Sequence, residues 1–220
     1  EDAALGVELL ADVILNPSFP ADALSRQREV QLAGIRAQDD KLLQKTFSLM
    51  RENLFGAHGY GLNSLGTQES VEALAADDLR AFHAQLAVPN NAVIAVFGDM
   101  DSAQVRADLE TVFGLWKRGG DYQVPKLLAG TQGKRRVADQ KDKEQAVAVL
   151  GFHGCTFFDE DRYALELLEE ACSDLGSRLF IRIREELGLA YYVGAQSQPG
   201  MTPGSFSFYA GTSPEQLAQV

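Results

Sequence analysis

The sequence predicts an α+β fold in which helices pack on a mixed, mostly antiparallel β-sheet. Apolar residues recur at helical spacing near the start of the chain, for example at Leu5, Leu9 and Val13, and this spacing is the pattern of an amphipathic helix. Further along, YYVGAQSQ and GSFSFYAGT alternate polar and apolar residues on either side of the turn sequence PGMTPG, which predicts a β-hairpin. Helices combined with such paired strands indicate the α+β class.

Helices dominate the first part of the chain. Amphipathic helices are predicted over residues 1–15, 21–38, 41–55 and 70–87. Pro20 lies just before the second of these helices, and the third ends near Gly56. Gly and Asn residues at 58–66 predict a loop. The fourth segment divides into two pieces, and we expect Asp77 or Asp78 to cap the second piece.

Strands and helices alternate in the remainder. Two short apolar runs bounded by turn residues, at 90–101 and 145–154, each predict a buried strand. Further helices are predicted over residues 102–116, 159–175 and 177–187, and SPEQLAQV opens a last one. Asp101 or Ser102 begins the first of these helices, and Gly188 ends the third. The second carries four apolar residues on one face: Tyr163, Leu167, Leu168 and Ala171.

The stretch 117–143 differs in composition from its surroundings. It is polar, contains glycine and lacks a helical period, so it predicts a linker, with one strand near Arg135 to Ala138. This linker divides the chain into two unequal parts, 1–116 and 144–220.

Composition disfavours several classes of partner. The 220 residues carry a formal net charge of −11, which disfavours nucleic acid and docking on anionic membranes. No apolar run is long enough to span a bilayer, so we expect a soluble protein without membrane insertion. The chain begins inside a predicted helix without Met, and we therefore expect a piece of a longer protein. The compartment stays open between bacterial periplasm and cytoplasm.

Most catalytic motifs are missing from the sequence. His58, His83 and His153 lie far apart, so the chain has no zinc-binding helix with two nearby histidines, and each is expected to be structural or solvent-facing. There is no glycine-rich phosphate loop and no nucleophile elbow. Cys155 and Cys172 have no metal-site spacing. We expect both to pack in the interior, and a disulfide between them remains an alternative.

Arg184 and Tyr191 are the residues that most suggest a ligand. They lie seven residues apart in RIREELGLAYYVGAQ. One interpretation is structural, because a cation near a helix C-terminus favourably meets the helix dipole and a strand tyrosine can expose its hydroxyl. The other is that both side chains point into one cleft and donate hydrogen bonds to a carbonyl oxygen or a developing oxyanion. The residues alone leave both interpretations open.

Several segments together resemble the pitrilysin–insulinase (inverzincin) zinc peptidases, which include the mitochondrial processing peptidase subunits and bacterial two-subunit peptidases. SRLFIRIREELGLAYYVGA is similar to the stretch that carries that family's Arg/Tyr pair. GFHGCTFFDEDRYALELLEEACSDLGSRLF, VPNNAVIAVFGDMD and LLADVILNPSFPADALSRQREVQLAGI are similar to three other family segments. The resemblance is collinear and covers nearly the whole chain.

The resemblance implies a fold, a substrate and a role for each part of the chain. It implies parts of two homologous peptidase-like domains, with 1–116 as the second part of the first domain and 144–220 as the first part of the second. The family holds extended peptides between these domains and binds zinc through an inverted HxxEH helix and a later Glu. By position, Arg184 and Tyr191 match the pair that contacts substrate.

The chain departs from the family pattern at the metal. No HxxEH is present, and the two positions of the second helix that carry glutamates in the family are Gln27 and Gly34. Neutral Gln is a poor zinc ligand, and Gly has no side chain to offer. We therefore predict no metal on this chain, with zinc on a partner subunit or in an upstream region.

These implications favour a non-metal subunit that binds extended peptide and completes the site of a homologous zinc-bearing partner. The chain alone is then expected to be inactive. One alternative is a scaffold module that binds no peptide. Another is part of an active zinc metalloendopeptidase whose HxxEH lies upstream. Bare surfaces at the two ends are also expected to make this chain self-associate as a dimer or larger assembly.

Overall fold

The computed structural model describes residues 2–57, 59–123 and 133–220. The α-helices are α1 (Asp2–Leu15), α2 (Ala21–Asp40), α3 (Leu42–Phe55), α4 (Gln68–Ala73), α5 (Ala76–Leu86), α6 (Ser102–Phe113) and α7 (Asp161–Ser173). A π-helical segment covers Phe180–Glu186, and the strands are β1 (Ala146–His153), β2 (Tyr192–Gln198) and β3 (Ser205–Thr212). The fold is α+β with an antiparallel sheet, so the predicted class is confirmed. Glu1, His58 and residues 124–132 of the predicted linker lie outside the described residues.

The described residues belong to two compact units. One lies within Glu1–Gln31 and Gln68–Pro125, and the other within Leu32–Thr67 and Lys126–Val220. The predicted domain boundaries at 117 and 143 stay a prediction.

The first unit is built from helices. α1 packs against α6 and buries Ala11, while Leu5, Leu9 and Val13 on its predicted apolar face remain exposed. His83 on α5 is structural, because its Nε2 lies 2.8 Å from the Ile14 carbonyl oxygen.

The predicted strand at 90–101 is wrong for this structure. Residues 92–97 form no ladder, and Val93 and Phe97 are 94% and 92% exposed. Ile94 lines a cleft together with residues of α6. The physical reason is the absence of a partner: the described part of this unit contains no second strand, and a strand without a neighbour leaves its backbone groups unpaired.

The second unit contains the sheet. Its strand order is β1-β3-β2, and both pairings are antiparallel. The pairing of β2 with β3 is the predicted hairpin. α3 packs on one face through β1, and α7 packs against β2. The α3 face is held by aromatic contacts, since Phe47 meets Tyr209 edge-on at 5.6 Å and Phe55 meets His153 at 5.6 Å.

Three expectations in this unit need correction. Among the described strands β1 lies at an edge of the sheet, and it is not buried, because its Leu150 and Phe152 are exposed. No strand forms at 135–138. On α7, the predicted apolar face is exposed at Tyr163, Leu167 and Leu168, because the helix turns its Ser173 and Glu169 toward β2.

The local stop and start signals are mostly as predicted. Asp101 caps α6 by accepting hydrogen bonds from the Ala103 and Gln104 amides. Asp78 accepts from the Ala75 amide, so it caps α5 from inside the first turn and not from the N-cap position. Cys155 and Cys172 are both free thiols, which excludes the disulfide alternative in this structure. None of the described helices has the length and apolar character needed to cross a bilayer.

Candidate substrate-binding site

Arg184 lies in a helical segment with an unusual backbone. Phe180–Glu186 is π-helical, and the Leu187 amide donates to the Arg182 carbonyl five residues back at 3.2 Å. Such wide turns are rare in proteins and often occur at functional sites. The sequence predicted an ordinary helix here, so this feature of the site was missed.

The Arg184 guanidinium is held without using its hydrogen-bond donors. Its Cζ lies 4.8 Å from the centre of the Phe180 ring, a cation–π contact that orients the flat group and leaves its N–H edges available. The neighbouring acid Glu186 is already paired with Arg182 at 2.6 Å. Among the described residues Arg184 therefore has no carboxylate partner and is exposed.

A short turn connects Arg184 to Tyr191. Gly188 adopts φ +61°, the left-handed conformation predicted for the residue that ends the helix. The buried Thr212 fixes the turn from β3 by donating its hydroxyl to the Leu189 carbonyl at 2.5 Å. The Tyr191 amide donates to the Gly211 carbonyl at 2.8 Å, so the Tyr191 backbone is anchored to the sheet while its side chain is 54% exposed.

The turn also limits how far apart the two residues can be. The Leu189 amide donates to the Ile183 carbonyl at 2.9 Å. Because consecutive Cα atoms are about 3.8 Å apart, this bond keeps the Cα atoms of Arg184 and Tyr191 within roughly 18 Å of each other. Neither side chain contacts the other through a hydrogen bond in the described structure.

Tyr191 and Tyr192 have different surroundings. The Tyr192 ring covers Gly211, where a Cβ atom would come within 2.1 Å of it. Burial, and to a lesser extent Tyr209, raises the pKa of the Tyr192 phenol. Tyr192 is therefore a neutral packing residue, and Tyr191 is the tyrosine that is open to a ligand.

The outer edge of β2, next to this site, is closed by side chains from α7. The Ser173 hydroxyl accepts from the Ala195 amide at 3.0 Å and donates to the Ala195 carbonyl at 2.9 Å. The Glu169 carboxylate accepts from the Ser197 amide at 3.1 Å. These bonds occupy the backbone groups that a further strand would need.

One known protein family matches most of this chain. Residues 73–220 match the family described as Peptidase M16 inactive domain. The chain belongs to this family. The pitrilysin–insulinase resemblance is thereby confirmed.

Relatives of this M16 chain are found among curated proteins and solved structures. An uncharacterized zinc protease of Mycobacterium leprae is 34% identical over 223 residues, which cover 100% of this chain and 50% of that protein. The peptidase M16 inactive domain of Pseudomonas fluorescens has a TM-score of 0.78 at 26% identity and covers 96% of this chain and 51% of that one. A Helicobacter pylori protease shares the fold with a TM-score of 0.85 at 20% identity, over 98% of this chain and 54% of that one. The chain thus spans about half the length of the curated relatives it matches.

Zinc is implied by these relatives, but the residues of this M16 chain that the structure describes do not fit it. Gln27 is an exposed side chain on α2, and a Cβ atom at Gly34 would meet nothing within 4 Å, so neither position supplies a ligand. His83 and His153 each face an aromatic ring. No group of three His, Cys, Asp or Glu residues suited to a metal ion occurs among the described residues.

A second feature of this M16 chain was also missed from sequence. A groove of about 770 Å³ runs between α3 and β1, and Lys134 and Arg135 line it. The run Lys-Arg-Arg at 134–136 stands out in an acidic chain and could have indicated it. Its composition predicts a linker instead.

Proposed function

We propose that this chain holds extended peptide for a zinc peptidase and does not bind the metal itself. Arg184 and Tyr191 contact the bound peptide from this chain. The zinc, which supplies the hydrolytic chemistry, belongs to a homologous subunit or to another part of a longer protein. The family and its zinc-protease relatives support the general class, and the donor groups of this chain support the specific role.

The observation that carries the proposal is the exposed guanidinium of Arg184, which has no carboxylate partner in the part of the chain that the structure describes. In RIREE, Arg182 forms an ion pair with the Glu186 carboxylate. Arg184 instead stacks on the Phe180 ring, which leaves its N–H donors available for a ligand. A purely structural arginine would be expected to use these donors on a carboxylate or a carbonyl. An exposed phenol follows within the same turn, at Tyr191.

These two groups suit a peptide carbonyl oxygen. The guanidinium can donate two parallel hydrogen bonds, and the phenol can donate one. Donors placed at an oxygen that becomes more negative during hydrolysis stabilise the transition state more than the bound substrate. Loss of either donor should then lower kcat and kcat/KM together.

The test is turnover of an extended fluorogenic peptide by the zinc-loaded assembly that contains this chain. We expect Arg184→Ala and Tyr191→Phe each to lower kcat by about tenfold to a hundredfold. Arg182→Ala is the matched control, because it removes an exposed arginine from the same helical segment that is already paired. Unchanged turnover in both test variants, or an equal loss in the control, would reject the assigned role.

A second candidate is a scaffold function without peptide binding. It is favoured by the exposed apolar residues of α1, where Leu5, Leu9 and Val13 are 54%, 58% and 64% exposed. Such residues suit a protein partner. Peptide affinity of the same assembly separates the candidates, since a scaffold would show none. An active M16 enzyme with an upstream HxxEH is the third candidate, and Gly34 argues against it.

A further inference from the structure

The local sequence gives Arg184 no acid at the spacings at which helical side chains meet. Arg182 has such an acid, because Glu186 follows it by four residues and pairs with it. The positions three, four and five residues from Arg184 on either side carry apolar residues or glycine: Leu179, Phe180, Ile181, Leu187, Gly188 and Leu189. Whatever orients the Arg184 guanidinium within its own segment is therefore not a carboxylate.

Phe180 is the aromatic residue in this set, and its ring contacts the guanidinium. The Arg184 Cζ lies 4.8 Å from the ring centre, inside the range of about 6 Å over which a ring face attracts a cation. The negative face of the ring supplies this attraction. An arginine side chain has many rotamers to lose when it is fixed, and a ring beneath it limits them before any ligand binds.

The backbone of Phe180 is itself fixed by a buried residue. The Phe180 amide donates to the Ser177 hydroxyl at 3.1 Å, and the Ile181 amide donates to the Ser177 carbonyl at 2.9 Å. Ser177 is 5% exposed, so these two bonds tie the start of the π-helical segment to the interior. The ring beneath Arg184 therefore starts from an anchored position and not from a free loop.

We propose that Phe180 is a positioning residue for peptide hydrolysis. Its ring face holds the Arg184 guanidinium where the guanidinium donates to the peptide carbonyl oxygen, and the electron density of that face, not the volume of the ring, is the property that matters. This inference rests on the proposed function, since the position of Arg184 affects turnover only if Arg184 contacts the peptide.

The experiment replaces Phe180 with mono-, di- and trifluorinated phenylalanine in the zinc-loaded assembly that contains this chain. Fluorine withdraws electrons from the ring face and changes the shape of the ring little. We expect kcat for the extended fluorogenic peptide to fall stepwise along the series, by about twofold to fivefold in total, because a cation–π contact at an exposed site is of that strength. KM should stay unchanged, because the donor acts mainly in the transition state.

Side-chain variants and a matched control complete the series. Phe180→Leu keeps an apolar side chain without a ring and should lower kcat by about fivefold, whereas Phe180→Tyr keeps the ring and should restore most of it. Trifluorinated phenylalanine at Phe158, an aromatic residue of the same unit that is 76% exposed, should leave kcat unchanged. Thermal unfolding of every protein checks that a loss of turnover is not a loss of fold.

The Arg184→Ala background decides whether the ring acts through the guanidinium. Fluorination of Phe180 should have no effect on kcat in this background, because the partner of the ring is gone. The same stepwise loss with and without Arg184 would overturn the proposal. So would a flat fluorination series, and if Arg184→Ala still lowered kcat in that case, the proposed function would stand. Unchanged turnover in Arg184→Ala would reject the proposed function and this inference with it.

Discussion

At the scale of single residues, glycine occupies two opposite kinds of position. Gly211 lies under the Tyr192 ring, and a Cβ atom there would come within 2.1 Å of ring atoms. Gly34 lies within α2, and a Cβ atom there would meet nothing within 4 Å. The first glycine is required by packing. The second is the position at which the sequence resemblance predicts a family metal ligand, and it has no side chain.

We expect Gly211→Ala to lower the free energy of unfolding by about 1–3 kcal/mol, because the added methyl group displaces the Tyr192 ring. Gly34→Ala should raise it by about 0.5–1 kcal/mol, because alanine is the better helix former and nothing obstructs it. Urea denaturation of both variants measures the difference. The same sign for both would contradict the packing described around Gly211.

At the scale of elements, α7 is joined to the sheet by polar side chains. Ser173 both accepts from and donates to Ala195 of β2. Leu167, which the sequence placed on the packing face, is 72% exposed. The helix is thus fixed by polar bonds to a strand edge, and helical periodicity alone does not reveal such bonds.

We expect Ser173→Ala to lower the free energy of unfolding by about 1–2 kcal/mol, since two backbone groups of Ala195 lose their partner. The Ala195 amide should also exchange with solvent faster. Ser64→Ala, which removes an exposed loop hydroxyl, is the control. Native-state hydrogen exchange checks both, and unchanged protection of Ala195 would show that the bond does not hold the edge.

Sequence patterns predicted most helices and the β2–β3 hairpin because those elements depend on local signals. Pro20, Asp101, Gly188 and the PGMTPG turn act within a few residues of where they stand. The status of β1 as an edge strand and the loss of the 92–97 strand depend instead on which neighbours are available. Both runs are equally apolar in sequence, and only β1 finds a partner in the described chain.

The residues of the candidate site were predictable from the sequence, but their backbone conformation and ion pairing were not. Arg184 and Tyr191 were singled out by spacing and by resemblance, and the structure adds that both are exposed. The π-helical backbone and the pairing of Arg182 with Glu186 were not predicted. RIREE contains two arginines and two acids, and only the helix geometry decides which arginine takes which acid.

At the scale of the whole molecule, uncovered apolar surface is the dominant property. Val93 and Phe97 lie in a segment without regular secondary structure and are almost fully exposed. Exposed apolar strands without charges tend to pair with other chains. Self-association of this chain stays a prediction, and this segment is the strongest reason for it.

We expect Val93→Ser with Phe97→Ser to reduce self-association at micromolar concentration, because the double variant removes the most exposed apolar side chains of the segment. Val30→Ser is the control, since Val30 is 66% exposed on α2. Light scattering measures the mass of each protein. A monomeric parent chain would contradict the prediction at once.

Ser173 and Glu169 also limit how large an assembly the sheet can build. A fibre grows only when each added chain offers an unpaired strand edge to the next. Here the edge of β2 is already hydrogen-bonded to side chains of α7. Among the described strands, two chains that joined through the outer edges of their β1 strands would leave no unpaired sheet edge behind. Edge-to-edge pairing of this sheet therefore stops at a dimer, whereas chains that lacked Ser173 and Glu169 could continue to add at the edge of β2.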